Sequence, residues 1–135
     1  MNVKMAGNFA LAICAAAVFH ATTANAQTVP ANWLTHAERT GYNETPRYHQ
    51  TIEYSRRLAE NSPLITYSSI GKSPEGRDIP ILIAAAGESG DPVSARKSGK
   101  AVILVQAGIH AGESDGKDAG LALMRDISVT GTASG

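Results

Sequence analysis

Residues 101–118 read AVILVQAGIHAGESDGKD, and this stretch decides the fold. Its first part, Ala101–Val105, is apolar without alternation, a pattern typical of a strand covered on both faces in a parallel or mixed sheet. His110 and Glu113 follow three residues apart, with glycines nearby that allow a tight bend. Because sites in α/β folds favour the carboxyl ends of strands, we expect this imidazole and this carboxylate to face one metal ion.

Helix and strand patterns on both sides of this stretch predict an α/β domain. Thr45 as N-cap and Pro46 at the first helical position predict the start of a helix, and Asn61-Ser62-Pro63 is predicted to stop it. The next segments are predicted as two strands, a hydrophilic connection and a helix: 64–70, 79–84, 87–100 and 116–127. The inner face of that last helix is predicted to carry Ala119, Ala122, Leu123 and Ile127.

The N-terminus has the pattern of a secretory signal peptide, residues 1–26. Its apolar part, Phe9–Phe19, is shorter than the roughly 20 residues that span a bilayer. Small residues at Ala24 and Ala26 suit cleavage after Ala26; an uncleaved N-terminal anchor is the alternative. We therefore expect an exported protein, periplasmic or extracellular, with no membrane span in the mature chain.

Composition narrows the classes of function. The chain has 12 basic and 12 acidic residues, so its net charge does not indicate binding to nucleic acid or to an anionic membrane. The one cysteine, Cys14, lies in the expected signal peptide, and a mature metal site would therefore use His, Asp, Glu or water.

Residues 27–45 show no sustained hydrophobic periodicity and are interpreted as a leader that packs Trp33 and Leu34 onto the domain.

A lone His-x-x-Glu is a common pattern, and a solvated histidine with a glutamate at a helix start is its ordinary interpretation. The segment Ile70–Ile79, IGKSPEGRDI, adds context because it resembles the IGxSxxGRxI hairpin of the M14 zinc metallocarboxypeptidases. The order of elements also resembles that family: helix, hairpin, apolar strand, then Gly-Ile-His110-Ala-Gly-Glu113. The resemblance runs from about Pro46 to the end of the chain and excludes the leader.

The resemblance implies the N-terminal portion of an α/β/α sandwich with a mixed sheet, over residues 46–135. It implies that His110 and Glu113 are the first two ligands of a catalytic Zn²⁺; two histidines and a glutamate are the known zinc ligands of carboxypeptidase A. Members of the family hydrolyse the C-terminal peptide bond of a peptide or protein substrate. Zinc polarises the carbonyl, a glutamate acts as general base, and arginines with an Asn-Arg pair hold the terminal carboxylate.

Two departures from the family pattern limit these expectations. Gly112 stands where digestive-type members carry an arginine, and no histidine or glutamate follows Glu113. The third ligand, the general base and the carboxylate-binding residues are therefore expected downstream of Gly135, and no catalytic residue is assigned in this chain. We expect a truncated domain that is inactive alone, binds zinc weakly and folds marginally.

Other candidate ligands have ordinary interpretations. His36 falls in the leader and His49 in the first helix, and neither is expected near His110. Asp115 is expected to cap the following helix, and Asp118 to favour its positive end. Two alternatives to the peptidase remain: a zinc amidohydrolase or deacylase that also uses His-x-x-Glu, which the hairpin disfavours, and a non-catalytic exported binding module. The reading frame past Gly135 would separate the three.

Overall fold

The computed structural model describes residues 29–86 and 90–129. A 3₁₀ turn, Ala31–Trp33, precedes four helices and two strands in this part of the chain. In chain order these are α1 (His36–Arg39), α2 (Tyr48–Asn61), β1 (Ile65–Lys72), β2 (Asp78–Ala84), α3 (Pro92–Lys97) and α4 (Asp115–Val129). The expected signal peptide, residues 1–26, lies outside the described residues. None of the helices in the described ranges has the length and apolar character to cross a membrane.

The predicted hairpin is confirmed. β1 pairs with β2 antiparallel from Ile65 opposite Ala84, and the register shifts between Ser69 and Lys72. Its turn requires Gly76, whose φ of +76° lies in the region that side-chain-bearing residues rarely adopt. Within residues 29–86 and 90–129 the sheet has two strands, so the described fold is mixed α/β, while the expected sandwich with a larger mixed sheet is not observed.

The core lies where α2 packs against α4 and β1. Its buried apolar members are Tyr54, Leu58, Ile65 and Leu121. Leu58 is completely inaccessible to solvent, which makes it the centre of this cluster. Aromatic and aliphatic side chains of three different elements meet at this point, and their burial is the main force that holds the elements together.

The leader packs onto this core through Trp33, as predicted. The Tyr54 hydroxyl donates a hydrogen bond of 2.7 Å to the Trp33 carbonyl oxygen. The Arg57 guanidinium lies over both rings, 4.8 Å from the centroid of Trp33 and 5.0 Å from that of Tyr54. These contacts combine a hydrogen bond with cation–π attraction, so residues 30–40 form part of the folded unit.

An ion pair between the buried Arg125 and the partly buried Glu38 joins the leader to α4. Thr35 and Glu38 form a capping box at α1, with the Glu38 carboxylate accepting from the Thr35 N–H at 2.7 Å. The same carboxylate accepts a hydrogen bond from Arg125, whose side chain is 4 % exposed and also bonds Asp126. Burial alone would raise the pKa of Glu38, but the hydrogen bonds from Arg125 and Thr35 outweigh it and lower that pKa.

The start of α2 differs from the prediction. The helix begins at Tyr48 with Arg47 as its N-cap, two residues later than the predicted N-cap at Thr45. The Gln50 side-chain oxygen accepts from the Arg47 N–H at 2.7 Å. The Thr45 hydroxyl instead donates to Asp118, 73 residues away, so a long-range contact replaces the expected local cap.

The hydrophilic connection predicted over 87–100 contains the short helix α3. The Asp91 carboxylate accepts from the backbone N–H groups of Val93 and Ser94, at 2.8 and 3.0 Å. Pro92 occupies the first turn, where its missing N–H costs nothing. The Asp-Pro pair is therefore a helix-start signal, and the sequence pattern had not predicted a helix at this point.

The predicted central strand is the largest correction. Ala101–Val105 has no regular secondary structure, and all of its residues are exposed. Val102, Ile103 and Leu104 are each at least three-quarters exposed. A strand needs a hydrogen-bonded neighbour, and β1 and β2, the strands in the described ranges, pair with each other. The apolar composition of Ala101–Val105 therefore favours burial, but it does not provide the neighbouring strand that a sheet requires.

This exposed segment predicts self-association. A contiguous apolar surface of this kind is a recognised aggregation liability. We expect the chain to form soluble oligomers or precipitate as its concentration rises, and Ile103→Lys to reduce that association. Light scattering over a concentration series measures the effect, with Ser68→Lys, at an exposed site on β1, as the control for added charge. A monodisperse monomer at high concentration would contradict the prediction.

Candidate metal site

The turn that carries His110 and Glu113 depends on two glycines with positive φ angles. Gly108 and Gly112 have φ values of +68° and +93°, which favour glycine over other residues. The Glu113 N–H donates to the His110 carbonyl oxygen at 3.3 Å. The Ser114 N–H donates to the Gly112 carbonyl oxygen at 3.0 Å, and α4 begins at the next residue. The chain thus reverses tightly between the exposed segment and α4.

The two predicted donor groups meet on this turn. His110 Nδ1 lies 2.9 Å from Glu113 Oε1, within hydrogen-bonding distance. Their side chains are 76 % and 63 % exposed, so both groups are accessible from solvent. The structure therefore brings together the imidazole and the carboxylate that sequence spacing placed side by side.

A depression of about 300 Å³ opens at the turn. Its lining includes both donor residues and Gly108, together with Thr45 before α2 and Lys117 on α4. The wall is therefore made by the turn, by α4, which directly follows it, and by Thr45, which is distant in sequence. Sequence reasoning did not assign a role to Lys117 or a site contact to Thr45.

The first turn of α4 is tied to residues 45–46. The Asp118 carboxylate accepts from the Thr45 hydroxyl at 3.0 Å, and the Lys117 ammonium donates to the Pro46 carbonyl oxygen at 2.7 Å. Asp115 and Asp118 both lie in the first turn, where the helix dipole favours negative charge, as expected for Asp118. The prediction that Asp115 caps the helix was wrong by one position, because the Asp118 N–H bonds to the Ser114 carbonyl oxygen and Asp115 is already helical.

Two other histidines lie elsewhere in the described part of the chain. His36 bonds Glu44 through Nε2 at 3.1 Å and lies 3.3 Å from the Gln50 amide through Nδ1. His49 lies on the exposed side of α2. Across residues 29–86 and 90–129, no group of three or more His, Cys, Asp or Glu side chains is arranged to hold a metal ion.

The donor chemistry at the turn fits zinc. Imidazole nitrogen and carboxylate oxygen are both ordinary zinc ligands. The two ligand atoms lie 2.9 Å apart, close enough to bind the same ion. A catalytic zinc site takes three protein ligands, and the turn supplies two. The residues present therefore fit one part of such a site.

Comparison with known proteins identifies the family. The family model Peptidase M14, zinc carboxypeptidase, matches residues 51–131, which is more than half of the chain. The chain belongs to the M14 zinc carboxypeptidase family. The match includes most of α2, the hairpin, the His110–Glu113 turn and α4. A search of the curated proteins and a search of the solved structures found no match.

Proposed function

We propose that this chain contributes two zinc ligands, His110 and Glu113, to a metallocarboxypeptidase that hydrolyses C-terminal peptide bonds. The 2.9 Å approach of His110 Nδ1 to Glu113 Oε1, inside the segment that matches the family, carries the proposal. When bound, zinc supplies a Lewis acid that polarises the carbonyl group of the scissile bond. The His110 imidazole and the Glu113 carboxylate hold the ion, and the accessible depression beside them admits solvent and substrate.

Two ligands are too few for tight binding. A site with an absent third ligand and few supporting contacts loses affinity steeply, because outer contacts alone are worth about 10–100-fold in metal binding. The His110 side chain is three-quarters exposed, so little of the surrounding protein fixes its ring. We therefore propose that this chain by itself binds zinc weakly and does not hydrolyse peptides.

The proposed substrate is the C-terminus of a peptide or protein. The proposed location is outside the cytoplasm, in the periplasm or the medium, on the strength of the signal-peptide pattern of residues 1–26. Both proposals follow from sequence pattern and family membership together. Fractionation of cells that express the full chain, with N-terminal sequencing of the product, tests cleavage after Ala26.

Zinc titration by calorimetry tests the ligand assignment. We expect weak binding to the chain, and a further loss of at least about tenfold in Ala variants of His110 or Glu113, because each removes one of the two ligands. His49→Ala is the matched control, since it removes an exposed imidazole on α2. Equal affinities for His110→Ala and the unmodified chain would overturn the assignment. A tight, stoichiometric site in the unmodified chain would contradict the weak-binding proposal.

A further inference from the structure

The His110–Glu113 turn is supported by α4, the helix that follows it. The preceding segment, residues 101–108, is exposed and has no regular secondary structure. The following residue, Ser114, leads directly into α4. The position and conformation of the turn therefore depend on how firmly the first turn of α4 is held.

Two hydrogen bonds hold that first helical turn to residues 45–46. They run from the Thr45 hydroxyl to Asp118, at 3.0 Å, and from the Lys117 ammonium to the Pro46 carbonyl oxygen, at 2.7 Å. The Lys117 and Asp118 side chains are 30 % and 17 % exposed, and Pro46 is buried. Lys117 and Asp118, consecutive residues of α4, thus contact Pro46 and Thr45 before α2. The Lys117 bond is partly buried, and the Thr45 bond is exposed to solvent.

A close backbone approach completes this arrangement. A Cβ atom built on Gly116 would lie 3.3 Å from the Ala107 Cβ, so the chain just before the turn passes tightly against the start of α4. This contact brings residues 107 and 116 together across the base of the loop that holds both donor groups. The two ends of this loop are therefore in contact, and residues 117 and 118 connect it to residues 45–46.

We propose that Thr45, Lys117 and Asp118 are positioning residues that keep the His110 imidazole and the Glu113 carboxylate facing one cation. The inference rests on the proposed zinc-ligand role, and these three residues act through the turn without touching the ion. Holding two ligands in the binding geometry before the metal arrives removes an ordering cost from the binding step. When these hydrogen bonds are lost, both ligand side chains are still present, but the turn that carries them samples other conformations.

Thr45→Val is the sharpest test, because it removes the hydroxyl donor without changing charge near the cation. We expect zinc affinity in the full chain to fall about two- to tenfold, the range set by one hydrogen bond coupled to binding. Thr45→Ser keeps the hydroxyl and is expected to restore the affinity of the unmodified chain. Equal losses in Thr45→Val and Thr45→Ser, or no loss in either, would overturn the proposal.

A variant at a different contact between the leader and α4 separates positioning from general destabilisation. Glu38→Gln weakens a different tie between the leader and α4, the pair with Arg125, which lies two helical turns beyond Asp118. With titrations run well below the thermal transition of every variant, Glu38→Gln is expected to keep the zinc affinity of the unmodified chain. A loss in Glu38→Gln as large as that in Thr45→Val would show that α4 stability alone matters, and would overturn the positioning role.

A metal-free measurement keeps the two proposals distinguishable. Imidazole ¹⁵N shifts of His110 report its contact with Glu113, and we expect them to move toward those of a free imidazole in Thr45→Val but not in Thr45→Ser. If the unmodified chain binds no zinc, the ligand assignment fails while these shifts still decide whether the turn is held. Unchanged ¹⁵N shifts in Thr45→Val would overturn the positioning role even where zinc binding is retained.

Discussion

Leu58→Ala is expected to lower the free energy of unfolding by about 2–5 kcal/mol, the cost of a large cavity in a packed core. Leu58 is 0 % exposed and contacts the cluster shared by α2, α4 and β1. Because whole domains have a free energy of unfolding of only about 5–15 kcal/mol, and this core is small, the variant is expected to be largely unfolded in mild denaturant. Urea titration followed by circular dichroism measures the shift.

Leu123→Ala is the matched control for this effect. It deletes the same atoms from α4 at a side chain that is 54 % exposed, so we expect a change of less than about 0.5–1 kcal/mol. Both comparisons need a cooperative unfolding transition, which we expect at a low urea concentration because the chain folds marginally. Equal losses for Leu58→Ala and Leu123→Ala would show that the core lies elsewhere.

Glu38→Ala is expected to lower the free energy of unfolding by about 2–4 kcal/mol, because it leaves the Arg125 charge buried with one fewer partner and removes the α1 capping box. The estimate lies low in the range for broken buried pairs, since Asp126 still bonds the guanidinium at 2.7 Å. Glu38→Gln is the matched variant. It retains an oxygen for the cap and loses the negative charge, so a smaller loss is expected.

The same pair gives stability a pH dependence with a defined sign. The pKa of Glu38 in the folded protein lies below its ordinary value of 4.5, despite the opposing effect of burial. The stability that Glu38 contributes is therefore complete above that ordinary value and is lost as pH falls through the lower, folded-state pKa. Denaturation of the unmodified chain and of Glu38→Gln should converge as the pH drops below about 4.5. A constant difference between them would contradict the charged pair.

Local sequence signals predicted several elements well. The hairpin over residues 65–84 follows from β-branched runs on both sides of a glycine-containing turn, and turn chemistry acts over a few residues. The close approach of His110 and Glu113 also depends on short-range geometry, since a three-residue spacing within a tight, glycine-containing turn suffices. These features do not require knowledge of what packs against them.

The inner face of α4 shows where such reasoning failed. Ala119 and Leu123 were predicted inside and are exposed, whereas Leu121 is buried and Ile127 packs on the core as predicted. The buried face also includes Arg125, because its charge is matched by Glu38 from the leader. A rule based on apolar residues excludes a charged residue from this face. The carboxylates of Glu38, 87 residues away, and of the neighbouring Asp126 compensate the buried charge of Arg125.

By itself, the sequence determined the helices and strands that local propensity specifies, the spacing of the two candidate zinc ligands, and membership of the zinc carboxypeptidase family. Tertiary structure alone decided which face of α4 is buried, that Thr45 contacts Asp118 instead of capping α2, and that the apolar residues 101–105 lie exposed without a strand partner. The reason is physical: backbone preferences act between near neighbours, whereas burial and pairing depend on groups that the chain brings together from a distance.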